Sequence, residues 1–179
     1  MPFPAVKLKP GPKALAAALA LADFNPNPTR PSVTDACGVV WAKPSSLQIM
    51  LAVIGGESSG HAWCWNVNKD GSTDYGACEI NDKAHPQYYG PVISPTQLNW
   101  ANYADNAKMA YAVYMAAGYT WTPWNAYSGG GYLAERYAGK SWMDWANYGI
   151  TQMNASLKAG ATLAAVASVD NDVLEYWLV

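Results

Sequence analysis

Between Ser45 and Ser58 the apolar residues Leu47, Met50, Leu51 and Ile54 recur at i, i+3, i+4 and i+7, the spacing of one helix face. Pro44 limits the start of this helix and Ser45 or Ser46 can cap it. A second helix is predicted over about 102–117, where Tyr103, Ala107, Ala110, Tyr111 and Tyr114 share a face and Gly118 follows as a C-terminal stop. Between the two the period changes. Trp63 to Asn68 reads as a strand, Lys69-Asp70-Gly71-Ser72 as a turn, and Thr73-Asp74-Tyr75 as the returning strand. Short helices are expected at 131–138 and 141–148, the second opened by a Ser141-x-x-Asp144 capping box. The sum is an α+β chain, predominantly α, with a small antiparallel β-hairpin or sheet set between helices.

Three segments follow from this pattern. Residues 1–34 read as an N-terminal arm with a short Ala/Leu helix near 13–22 and then Asn25-Pro-Asn-Pro-Thr-Arg-Pro31, whose prolines favour extended chain. Lys7, Lys9 and Lys13 ahead of Ala14–Ala22 imitate a signal peptide, but Pro4, Pro10 and Pro12 favour the arm. Residues 35–150 form the compact unit, and 151–179 a tail that is Ala-rich, then acidic, ending in Leu174–Val179. The apolar ends should be buried away from the hairpin, on the domain's back face or against other subunits. No run of the sequence reaches the roughly 18 apolar residues that span a bilayer.

Composition narrows the function. Of 179 residues only 13% are charged and the net charge is -2, which excludes the basic face a nucleic-acid binder needs. Nine Trp and 12 Tyr stand against two Phe. Trp and Tyr join a flat apolar face to a polar handle, which suits sugar stacking as well as a Trp-rich core. Three Cys and two distant His show no metal-ligand spacing, so neither metal nor cofactor is expected. Cys64 and Cys78 flank the hairpin at similar distances from its turn; they could pair across it or remain two buried thiols.

One carboxyl stands out first. Glu57 lies seven residues after Met50 and three after Ile54, in phase with the buried stripe and at a helix C-terminus. Desolvation and the helix dipole both favour its neutral form, as a general acid requires. A frayed helix end would instead turn Glu57 to water. Asp74 follows the turn among Asn66, Asn68, Ser72 and Thr73, groups able to hydrogen-bond a carboxylate, though a turn-closing role would also account for it. Two carboxyls, one in an apolar and one in a polar setting, are the pair that glycoside hydrolysis uses.

The residues around this pair resemble a family. Glu57-Ser58, the seventeen-residue step to Asp74, and the run from Asn66 to Asn81 resemble the active-site stretch of chicken-type lysozymes. That resemblance implies Glu57 as general acid, Asp74 as nucleophile or charge stabiliser, and Asn68 and Asn81 as cleft asparagines. Residues 106–132 resemble the lysozyme-like domains of bacteriophage lysins and tail proteins. Their Ala126-Tyr127 is similar to the Ala-Tyr motif of soluble lytic transglycosylases. This chain departs from the chicken-type pattern in carrying Glu79 where a Gln is usual, a possible third carboxyl that either repels Glu57's charge or faces solvent. Trp121, Trp124 and Tyr127 are candidates for sugar binding, as are Trp63, Trp65, Tyr88 and Tyr89, with about half of these aromatics expected in the core. His85 either lines the cleft or sits in a solvated loop.

The resemblance implies a muramidase acting on peptidoglycan, with two alternatives: a lytic transglycosylase using Glu57 alone, or a non-catalytic virion protein. A slightly acidic surface suits attachment to a phage tail better than free diffusion to an anionic wall. Other virion proteins would then be partners through residues 1–34 and 161–179, and the site of action would be the bacterial cell wall.

Overall fold

The computed structural model describes residues 12–24, 30–89 and 98–168. The chain runs α1 (Pro12–Leu21), β1 (Val33–Thr34), β2 (Val40–Trp41), α2 (Ser46–Ser58), β3 (Trp65–Val67), β4 (Thr73–Tyr75) and β5 (Ile80–Asn81). It continues with α3 (Tyr103–Ala116), α4 (Asn125–Ser128), β6 (Glu135–Tyr137), β7 (Lys140–Ser141), α5 (Trp142–Lys158) and α6 (Leu163–Ala167). The architecture is α+β with helices dominating, as the periodicity predicts. Among the described residues no helix is long and apolar enough to cross a membrane.

α2 is the axis of the core. The sequence marks one apolar face, yet Ile49, Ala52, Val53 and Gly55 are buried as well as Leu47, Met50, Leu51 and Ile54. A helix apolar all round must be wrapped by others, and α1, α4 and α5 pack on it. Ser45 caps its start, its side chain accepting from the Gln48 N–H at 3.0 Å.

The segment expected as an arm behaves differently. Leu15, Ala16, Ala17, Ala18 and Leu19 of α1 are buried, and the helix packs on α3, α5 and α6 as well as α2. A short Ala/Leu helix is marginal in water, but each buried Leu contributes roughly 2 kcal/mol. The domain's own back face supplies the burial partner. Residues 1–11 and 169–179, including Leu174–Val179, lie outside the described residues.

Two expectations past residue 130 need correction. Residues 131–138 are not a helix but a 3₁₀ turn (Gly131–Leu133) leading into the β6–β7 hairpin. Ala138 and Gly139 both take positive φ, +47° and +75°, the geometry of a tight hairpin turn. The Ser141–Asp144 capping box forms reciprocally, but α5 runs on to Lys158, so a boundary at 150 would fall inside it.

The hairpin becomes a three-stranded antiparallel sheet, β3-β4-β5. Its register pairs Asn66 with Asp74 and Asp74 with Asn81, which places these three side chains on one face.

Candidate active site

Three anchors hold the sheet against the helices. Ser58, at the end of α2, donates its hydroxyl to the Ala77 carbonyl at 2.6 Å. The buried Asn106 of α3 accepts from the Cys78 N–H at 2.8 Å, and the Trp124 indole N–H donates to the Cys78 carbonyl at 2.8 Å. Gly76 lets Asn106 come this close. A Cβ there would lie 2.5 Å from Asn106 Nδ2, and its φ of +80° already favours glycine. The loop from Gly76 to Glu79 is thereby pinned between α2, α3 and the segment before α4.

Between these elements opens a cleft of about 300 Å³. Glu57, Asp74 and Glu79 all line it, together with Asn68, Asn81 and His85. Val113, Pro123 and Trp124 supply apolar wall.

Glu57 is half-buried on the helical wall. Its Oε1 accepts from the Ala126 N–H, at the start of α4, at 2.6 Å. Gly56 makes this approach possible, since a Cβ there would meet the Ala126 Cβ at 3.0 Å. Burial pushes the Glu57 carboxyl above its usual range, outweighing the Ala126 and Asn125 N–H groups, and the nearby Asp74 adds to the rise.

Asp74 faces it from the sheet wall, and both of its oxygens are engaged. Asn68 Nδ2 donates to Oδ2 at 2.8 Å, and Asn81 Nδ2 donates to Oδ1 at 2.7 Å. The Asn81 amide is oriented by the backbone: its Oδ1 accepts from the Lys83 and Ala84 N–H groups at 3.1 and 3.0 Å. Buried Ser72 ties the two amides together, accepting from Asn68 at 3.1 Å and Asn81 at 2.9 Å while donating to Asp70 at 2.7 Å. Asp70 thus belongs to the turn and Asp74 to the cleft.

Glu79 lines the same cleft and is half-buried. Burial, with the charges of Asp74 and Glu57, pushes its carboxyl up to about 7 against the opposing hydrogen bond from the Cys64 thiol. No disulfide joins Cys64 to Cys78: Cys64 is a thiol raised to about 12, first by burial and then by Glu79, and Cys78 is a wholly buried thiol. Burial lowers the basicity of His85, which lines the cleft.

The aromatic residues divide. Trp124 borders the cleft, but it is 3% exposed and its indole N–H is already committed to Cys78, so it walls the cleft more than it offers a stacking face. Trp121 is 1% exposed and packed under the Arg30 guanidinium, 4.5 Å from the ring centre, and cannot reach a sugar. Tyr127 packs against Tyr132 and Trp121, with ring centres 5.1 and 5.4 Å apart, instead of lining the cleft. Aromatic content could not separate these cases, because a core ring and a stacking ring have the same composition.

Sequence reasoning missed the Ala126 N–H, because backbone donors carry no residue signature. Ser72, expected as a neighbour able to hydrogen-bond Asp74, bonds Asn68, Asn81 and Asp70 instead. Among the described residues no cluster of His, Cys, Asp and Glu is placed to hold a metal ion.

A family model, described as a lysozyme-like domain, matches residues 34–126, just over half of the chain and spanning both carboxyl-bearing walls. No curated protein and no solved structure matches the chain. With the helix-and-sheet cleft and this match together, the chain belongs to the lysozyme-like domain family, whose fold acts on peptidoglycan.

Proposed function

We propose that the cleft cleaves the glycan strands of peptidoglycan by muramidase chemistry. The observation that carries this reading is the contrast across one cleft: a half-buried Glu57 biased toward its acid form, opposite an Asp74 whose two oxygens are fixed by asparagine amides. Glu57 gives its proton to the glycosidic oxygen as the bond to the anomeric carbon breaks. Asp74 meets the oxocarbenium-like centre, either stabilising it or bonding to it. Water then adds at the anomeric carbon and its proton returns to Glu57, restoring both carboxyls. Val113 and Pro123 line the same cleft as Glu57.

A second reading has one observation in its favour. The hydrogen bond to Glu57 at 2.6 Å comes from Ala126, in the pair similar to the transglycosylase Ala-Tyr motif. In that chemistry Glu57 serves as acid and then base, and the substrate's own 6-hydroxyl replaces water. Tyr127, packed away from the cleft, supports it less. Delivery by a phage tail rests on the sequence resemblance of residues 106–132 and on the slightly acidic charge.

Digestion of purified peptidoglycan with mass spectrometry of the fragments tests the reading. Hydrated reducing ends are expected. Fragments lighter by one water would establish the transglycosylase instead, and no fragments would sink both.

A further inference from the structure

Side chains alternate along a strand, so the β3-β4-β5 sheet has two faces of different chemistry. Asp74 and Asn81, which pair across it, line the cleft, while Trp65 and Tyr75 pair with each other on the opposite face. Trp65 is 63% exposed there, and Trp63, just before β3, is 72% exposed. Large apolar rings left in water as a group mark a contact surface. The rings also connect. Trp63 meets Trp100 with ring centres 5.9 Å apart, Trp100 meets Tyr75 at 5.0 Å, and Tyr75 meets Tyr89 at 5.0 Å. The Tyr89 hydroxyl ties this point to β5 by donating to the Ile80 carbonyl at 2.7 Å. From Tyr89 the contacts pass to Tyr88 at 6.5 Å and on to His85 at 6.3 Å, and His85 lines the cleft. Each step lies within the range of about 4.5–7 Å over which aromatic rings touch. Trp100, Tyr75, Tyr88 and Tyr89 are half-buried, so each retains exposed surface.

We propose, building on the glycan-cleaving reading above, that this aromatic track is a second binding surface for the glycan strand, leading the polymer from His85 at the cleft round the sheet to Trp65 and Trp63. Continuity with the cleft is the first argument for this occupant. A cleft of about 300 Å³ stands at the lower end of the range for small-ligand sites, so a polymer seated at Glu57 and Asp74 must run on across the surface outside. The track starts at a cleft residue and supplies such a surface. The second argument is the chemistry of the rings. Flat Trp and Tyr faces match the C–H faces of pyranose rings, while indole N–H and phenol hydroxyl groups suit sugar hydroxyls and acetamido groups. A chain of net charge -2 offers little to the phosphates of nucleic acid or of an anionic lipid surface, both of which are held by cations. Trp63 and Trp65 lie outside the cleft, so they contribute affinity for the strand and not bond cleavage.

The test uses the full chain carrying Glu57→Gln, which blocks cleavage so that binding to purified insoluble peptidoglycan is read by co-sedimentation. Adding Trp63→Ala or Trp65→Ala should weaken that binding by roughly two- to tenfold each. Thermal melts should stay close to the parent's, since both side chains are mostly exposed. In solution, the indole N–H resonances of Trp63 and Trp65, assigned from the same variants, should shift on addition of soluble N-acetylglucosamine oligosaccharides. Binding unchanged in either variant, or indole resonances that stay in place, overturns the proposal. So does a concentration-dependent dimer that Trp63→Ala abolishes while peptidoglycan binding persists, which would make this face an interface between copies. If wild type releases no glycan fragments but the variants still lose affinity for peptidoglycan, the glycan-cleaving reading falls and the binding surface stands. If fragments are released and the variants bind as the parent does, the surface falls and that reading stands.

Discussion

The helical and sheet walls of the cleft present the same functional group in opposite settings. On the helical wall, Glu57 emerges from the last turn of a helix apolar on all sides and meets one backbone N–H at close range. On the sheet wall, Asp74 sits in a polar lattice in which Asn68, Asn81, Ser72 and Asp70 bond one another in turn. The difference teaches that the division of labour between two carboxyls is made by their supports. Burial resists charge on Glu57, while side-chain donors secure the oxygens of Asp74.

The largest effect should come from the helical wall. Glu57→Gln keeps the shape and removes the proton, so cleavage should fall by roughly 10²- to 10⁴-fold, the range of general acid catalysis. The assay is release of soluble fragments from peptidoglycan, with a thermal melt to show that the fold survives. Near-normal turnover at unchanged stability would remove Glu57 from the acid's role.

Asp74→Asn breaks the other wall. The expected loss is on the order of 10²-fold in kcat with KM little altered, since the charge is needed at the oxocarbenium-like centre and not for initial binding. Retained activity, read with the fragment masses, would favour the transglycosylase. Asn68→Ala or Asn81→Ala sharpens the same contrast at a smaller scale. Each leaves Asp74 in place but takes one donor from one oxygen, a loss of about 1.5–3 kcal/mol that corresponds to roughly tenfold or more in kcat/KM.

The smallest effect on chemistry should follow a change outside the cleft. Asp35 is buried; its Oδ2 accepts from Ser141 Oγ at 2.6 Å and Trp41 Nε1 at 2.8 Å, and its Oδ1 from the Val39 and Cys37 N–H groups at 2.9 and 3.0 Å. Burial opposes its charge, but the hydrogen bonds outweigh it and hold the carboxyl below its usual value. Its stabilising contribution is therefore complete above the unfolded value of about 4 and is lost as pH falls through the lower folded value. Asp35→Ala should cost about 3 kcal/mol by leaving buried donors without an acceptor, lowering Tm by roughly 6–12 °C. Turnover at 25 °C should be retained, and the acid-side loss of stability should lessen. A Tm within a degree or so of wild type would remove Asp35 from its role as a tie between β1–β2 and α5.

What the sequence determines by itself here is local. The α2 and α3 periodicities, the Ser45 and Ser141 caps, the Asp70-Gly71 turn and the phase of Glu57 all arise from interactions between residues a few positions apart. The spacing that brings Asn68 and Asn81 to Asp74 is likewise contained within one hairpin and its continuation. The rest depends on distant partners. Asp35 meets Ser141 across 106 positions, Glu57 meets Ala126 across 69, and Trp124 meets Cys78 across 46. No local pattern encodes such pairs. Tertiary packing also decided that α1 is core and no arm, that Trp121 lies beneath Arg30 while Trp124 borders the cleft, and that Glu79 lines the same cleft as Glu57. An Ala/Leu helix or an aromatic ring is equally apolar wherever it lands, and only the surface that arrives to cover it, or fails to, settles whether it stabilises the fold or meets a substrate.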